Sequence, residues 1–67
     1  MKNLSLFEFN VFFNNEDGNR ILTTKQTFKI KRGNQTRAFD FICKKVHAQN
    51  SIYKSFTIDL VQRTFLN

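Results

Sequence analysis

The sequence predicts an α+β domain of order β-β-α-β, a three-stranded antiparallel sheet with one helix packed across one face. Three observations carry that expectation. The first and last thirds of the chain alternate apolar and polar residues with period two. Residues 35–48 instead gather their apolar side chains into one helical arc. The chain has 67 residues, enough for a single domain over 1–67 and no second one.

The first strand is read from Leu4 to Phe13. Phe7, Phe9, Val11 and Phe13 fall on one face and Leu6, Glu8, Asn10 and Phe12 on the other. Asn14-Asn15-Glu16-Asp17-Gly18-Asn19 then reads as a turn, because Asn and Asp bond their own backbone and Gly18 supplies a positive φ. The second strand is expected from Arg20 to Lys31, closing a hairpin. Leu22, Phe28 and Ile30 share its inner face, while Thr23, Lys25, Thr27, Lys29 and Lys31 share the other.

The segment after Gly33 admits two readings. As a helix from Gln35 to Ala48, its residues Ala38, Phe39, Phe41, Ile42, Cys43 and Val46 fill an arc of about 200°, with Arg37, Asp40, Lys44 and His47 opposite. Only Lys45 intrudes, and its methylene stem can lie along apolar surface. Asn34 or Thr36 suits the N-cap, Asp40 and Lys44 have the spacing of an ion pair, and Asn50 is a stop. The rival is an all-β four-stranded meander with Gly33-Asn34 as a hairpin turn. Its strand faces would be mixed, so the helix is preferred. The final strand is read from Ser51 to Arg63, with Ile52, Phe56, Ile58 and Leu60 inward and Tyr53, Ser55, Thr57, Asp59 and Arg63 outward. The predicted core is Phe7, Phe9, Val11 and Phe13 from the first strand, Leu22, Phe28 and Ile30 from the second, Ala38, Phe41, Ile42 and Val46 from the helix, and Phe56, Ile58 and Leu60 from the last strand.

Charge is the only feature that points to a partner. The net charge is +6, and residues 20–37 hold Arg20, Lys25, Lys29, Lys31, Arg32 and Arg37 with no carboxylate. Residues 1–19 sum to −2 and residues 38–67 to +2, so the middle segment accounts for the whole excess. Such a segment attracts polyanions. Phe, Ile, Asn and Lys are also the residues an AT-rich genome encodes preferentially, a competing source of the basic balance.

Catalytic, metal and cofactor chemistry find no support in this pattern. Cys43 and His47 stand four apart without a third orienting group, and two ligands fall short of a zinc site. Gly18 and Gly33 are isolated and make no phosphate-cradling loop. The expectation is therefore a non-enzymatic binding module without a cofactor.

The leading partner is nucleic acid or a ribonucleoprotein. It would be held on the open sheet face by Arg20, Lys25, Lys29, Lys31, Arg32 and Arg37, with Phe12 and Tyr53 as base-stacking rings. The alternative is a phage- or plasmid-type regulator or inhibitor that blocks a host protein, itself a nucleic-acid binder. A homodimer would cover apolar surface that so small a core leaves open. One cysteine forms no internal disulfide, no apolar run reaches the roughly 18 residues of a membrane span, and Glu8 and Asn10 break any secretory h-region. The expected location is the cytoplasm.

Overall fold

The computed structural model describes residues 4–49 and 51–66. Strands β1 (Ser5–Phe13), β2 (Gln26–Arg32) and β3 (Phe56–Phe65) and helix α1 (Gln35–His47) follow in the order β1-β2-α1-β3. The sheet order is β2-β1-β3, with β1 antiparallel to both neighbours. β2 and β3 therefore run parallel to each other, and α1 is the crossover that carries the chain over β1. The antiparallel sheet with a single covering helix is the predicted architecture, and the meander is excluded because residues 35–47 are helical.

Burial explains why these segments settle as they do. Phe7, Phe9, Val11 and Phe13 point to one side of β1 and meet Ile30 from β2 and Ala38, Ile42 and Val46 from α1. Ala38, Ile42 and Val46 are spaced by four and form the seam of the helix. Phe28, Phe41, Phe56 and Ile58 pack around this cluster at partial exposure. Phe7 and Phe9 lie with ring centroids 6.2 Å apart, within the range of favourable aromatic pairs.

Both helix ends are pinned. Asn34 is the N-cap, and its Oδ1 accepts a hydrogen bond from the Arg37 backbone N–H at 2.8 Å. Asn34→Ala is expected to cost about 1 kcal/mol, read as a lowered urea midpoint with unchanged m-value. At the other end, Gln26 and Gln49 exchange two amide hydrogen bonds of 2.9 and 2.8 Å, tying the helix terminus to the start of β2. The expected stop at Asn50 lies outside the described residues.

Three expectations require correction. β2 begins at Gln26, not Arg20, because Leu22–Thr24 form a 3-10 turn. Thr24 holds that turn to β1: its Oγ1 accepts from the Phe13 N–H at 2.8 Å and donates to the Ile21 carbonyl at 2.6 Å. Leu22 is thereby 69% exposed and leaves the core.

The second correction concerns β3, which begins only at Phe56. Residues 51–55 reach it as irregular chain, so Tyr53 is not a strand residue. The third is a register shift within β3. Phe9 pairs with Leu60 but Glu8 pairs with Gln62, so Val61 is an extra residue. A bulge of this kind reverses the alternation beyond it. Arg63 consequently lies opposite Phe7 on the helix side of the sheet, not on the open face. Leu60, expected in the core, is instead exposed at 39% and stands outside the buried cluster.

Candidate polyanion interface

The six basic side chains of residues 20–37 do not share one face. Arg20 forms an ion pair with Asp59 at 2.7 Å, and its guanidinium lies 4.6 Å from the centroid of Phe12. That cover leaves Phe12 only 8% exposed. Phe12 is therefore no open stacking platform, and Arg20 arrives already neutralised. Tyr53 stacks on Phe13 at 5.3 Å and 22°, away from Phe12. An open cleft of about 620 Å³ lies beside it, between the Asn14–Gly18 turn and Ile52–Ser55.

Lys29 and Lys31 do stand on the open face, opposite Glu8 and Leu6 of β1. Thr27 shares that face and donates its hydroxyl to Asn10 Oδ1 at 2.8 Å. Lys25 is exposed immediately before β2. Glu8 is half-buried in the middle of the sheet and moderates the field of Lys29 across the strand pair. Among the described residues neither Lys29 nor Lys31 has a carboxylate within ion-pair distance.

Arg32 turns to the helix side. Its guanidinium sits 4.5 Å from the centroid of Phe41 and donates to the Lys31 carbonyl at 2.7 Å. Lys45 approaches the same ring at 5.7 Å. These contacts show that the Phe41 side of α1 faces β2. Arg37 and Lys44 extend that side by helical spacing, and both are exposed. The expected Asp40–Lys44 ion pair does not form within 4.0 Å.

The charge thus gathers along one flank of the molecule rather than on one face of the sheet. Lys29 and Lys31 line β2 on the open side, with Lys25 exposed just before the strand, while Arg32, Arg37, Lys44 and Lys45 lie toward the helix side. Lys44 and Lys45 were outside the site expected from sequence. The signal existed in the spacing Arg37-Phe41-Lys45, which places two cations on either side of one ring. The opposite flank, along β3, carries the neutralised Arg20–Asp59 pair. It also carries Arg63, packed at 5.0 and 4.6 Å from the Phe7 and Phe65 rings and donating from Nε to Ser5 Oγ at 3.1 Å.

Phosphate oxygens suit such a flank. Ammonium groups on flexible stems follow a backbone as point charges, and a planar guanidinium held against a ring keeps its remaining N–H donors in a fixed direction. Base stacking has less to work with, since Phe12 is covered and Phe41 is flanked on two sides.

Cys43 and His47 do not meet as a reactive pair. The His47 ring stands edge-on to Phe56 at 5.1 Å and 72°. Cys43 is half-buried, and burial, with the Asp40 carboxylate as a smaller cause, pushes its thiol above the ordinary cysteine range. Because the thiolate is the reactive form, alkylation of Cys43 by iodoacetamide at neutral pH is expected to be slower than that of free cysteine. Mass spectrometry of timed samples reads the rate, and equal rates would contradict it. Among the described residues no three His, Cys, Asp or Glu side chains cluster as metal ligands, and no helix is long and apolar enough to cross a membrane.

Comparison of the chain with protein-family models, curated proteins and solved structures returned no match.

Proposed function

We propose that this protein is a non-enzymatic binding module whose partner is a nucleic acid, held by its phosphates along the β2 flank. The carrying observation is the placement of Lys29 and Lys31 on β2 and of Arg32 and Lys45 against Phe41 at the adjoining side of α1, with Lys25 and Arg37 exposed beside them, none of them in an ion pair among the described residues. The charged flank runs along β2 and the neighbouring side of α1, a shape suited to a linear polyanion. Contacts of this type position a backbone and carry little sequence information. The binding is therefore largely sequence-independent, and single strands gain no special advantage from stacking.

Fluorescence polarisation with labelled single- and double-stranded oligonucleotides tests this reading. The expected result is binding at low salt for both, with the logarithm of affinity falling linearly against the logarithm of salt concentration. Absence of binding at low salt would overturn it. A salt-independent affinity would point to stacking or base readout instead.

A further inference from the structure

The two edges of the sheet are built differently. β2 carries lysines along its length, a common defence against unwanted strand pairing. β3 has none between Phe56 and Phe65. Instead it exposes Leu60 at 39%, Val61 at 48% and Phe65 at 68%.

We propose that the outer edge of β3 is the interface with a second copy of this chain, giving a continuous six-stranded antiparallel sheet of order β2-β1-β3-β3-β1-β2.

The bulge supplies the first argument. Phe56, Ile58 and Leu60 share the helix side of the sheet because they pair with Phe13, Val11 and Phe9. Beyond Val61, that side is taken by Arg63 and Phe65, paired with Phe7 and Ser5. Thr57, Asp59, Gln62 and Thr64 occupy the open side. This pattern is symmetric about the midpoint between Leu60 and Val61. Two copies related by a two-fold axis through that midpoint match face to face: Phe56 with Phe65, Ile58 with Arg63, Thr57 with Thr64 and Asp59 with Gln62. An unbulged strand in the same register would set every side chain against one on the wrong side.

Backbone hydrogen bonding agrees. The Asn14 N–H donates to the Ser55 carbonyl and the Leu66 N–H to the Leu4 carbonyl, both at 3.0 Å. Ser55 and Leu66 thus point their polar groups toward the β1 side. By alternation away from the bulge, Phe56 and Ile58, and likewise Phe65 and Arg63, point theirs outward. These residues are partners in the proposed register, so the free groups of one copy meet those of the other.

Charge does not oppose this occupant where the two copies meet. A copy at +6 repels its twin across most of the surface. In this arrangement no like charges face each other across the pair. The two β2 flanks stand five strand spacings apart, about 24 Å, beyond a Debye length of about 8 Å at physiological salt. Both stay free for a polyanion, so the interface does not depend on the nucleic-acid reading.

Sedimentation equilibrium on nuclease-treated protein tests the pairing. The expected mass is twice the chain mass of 8.0 kDa, reverting to the single-chain value in a Leu60→Glu, Phe65→Glu variant that keeps the parent far-UV circular dichroism. Register is read separately by oxidation in a Cys43→Ala background. Thr57→Cys with Thr64→Cys is expected to form intermolecular disulfides, because directly opposed positions bring Cα atoms to about 4.5–5.5 Å. Thr57→Cys with Gln62→Cys is expected to form none. A single-chain mass at millimolar concentration, a dimer indifferent to the Leu60 and Phe65 changes, or an edge that instead takes up a peptide of another protein overturns the proposal.

Discussion

Phe9→Ala is expected to leave this chain without a cooperative fold. Phe9 is 1% exposed at the centre of the middle strand, against Phe7 and the helix seam. Truncating a buried Phe costs about 3–5 kcal/mol through lost transfer energy and the cavity left behind. A core in a chain of this length rarely supplies more than about 3–5 kcal/mol in total. The substitution therefore removes a share comparable to the whole. Leu22→Ala provides the contrast: at 69% exposure it is expected to change stability by no more than about 0.5 kcal/mol. Urea unfolding followed by far-UV circular dichroism reads both. A cooperative transition in Phe9→Ala with a small shift would contradict the placement of the core.

The second large effect is on binding. The combined Lys25→Glu, Lys29→Glu and Lys31→Glu variant is expected to lose nucleic-acid binding at physiological salt while keeping its circular dichroism spectrum. All three lysines are exposed and make no ion pair within the described residues, so the fold does not depend on them. The variant removes the three lysines of β2 and its approach and replaces their attraction with repulsion. In the milder Lys→Gln version, residual binding is expected with a shallower salt slope, reduced by about 0.9 for each lysine that meets a phosphate. Arg63→Gln lies on the other flank and is expected to leave the slope unchanged. An unaltered slope in the lysine variants would remove the β2 flank from the interface.

The parts of this molecule that could be read from sequence are those governed by local periodicity. β1 shows it most clearly, because Phe7, Phe9, Val11 and Phe13 recur at every second residue and all are buried. The apolar arc of α1 and the Asn34 cap likewise depend on residues within one or two turns of one another. The misreadings share a different origin. Val61 is one extra residue in β3, and nothing in the run Ile58-Asp59-Leu60-Val61-Gln62-Arg63 announces which neighbour goes unpaired. Plain alternation carried through the bulge puts Arg63 on the open side, whereas the register shift turns it to the helix side.

Leu22 departs from its pattern for a similar reason. Its spacing to Phe28 and Ile30 fits a strand, but Thr24 bonds to the end of β1 and turns the chain before β2 begins. For the site, sequence position showed where the positive charge is concentrated and not how it is distributed in space. Arg20 reaches Asp59 and Phe12, and Arg32 reaches Phe41. Such long side chains choose partners through tertiary contacts, which no period along the chain encodes. The proposed interface therefore lies on the flank where β2 and α1 meet and not on the open face.

Amide chemical-shift changes during titration with a short duplex oligonucleotide locate the contact surface residue by residue. The expected perturbations concentrate at Lys29, Lys31, Arg32, Arg37 and Lys45, with Asp59 to Phe65 unmoved. Perturbations centred on β3, or spread evenly over the surface, would exclude the β2 flank as the binding surface.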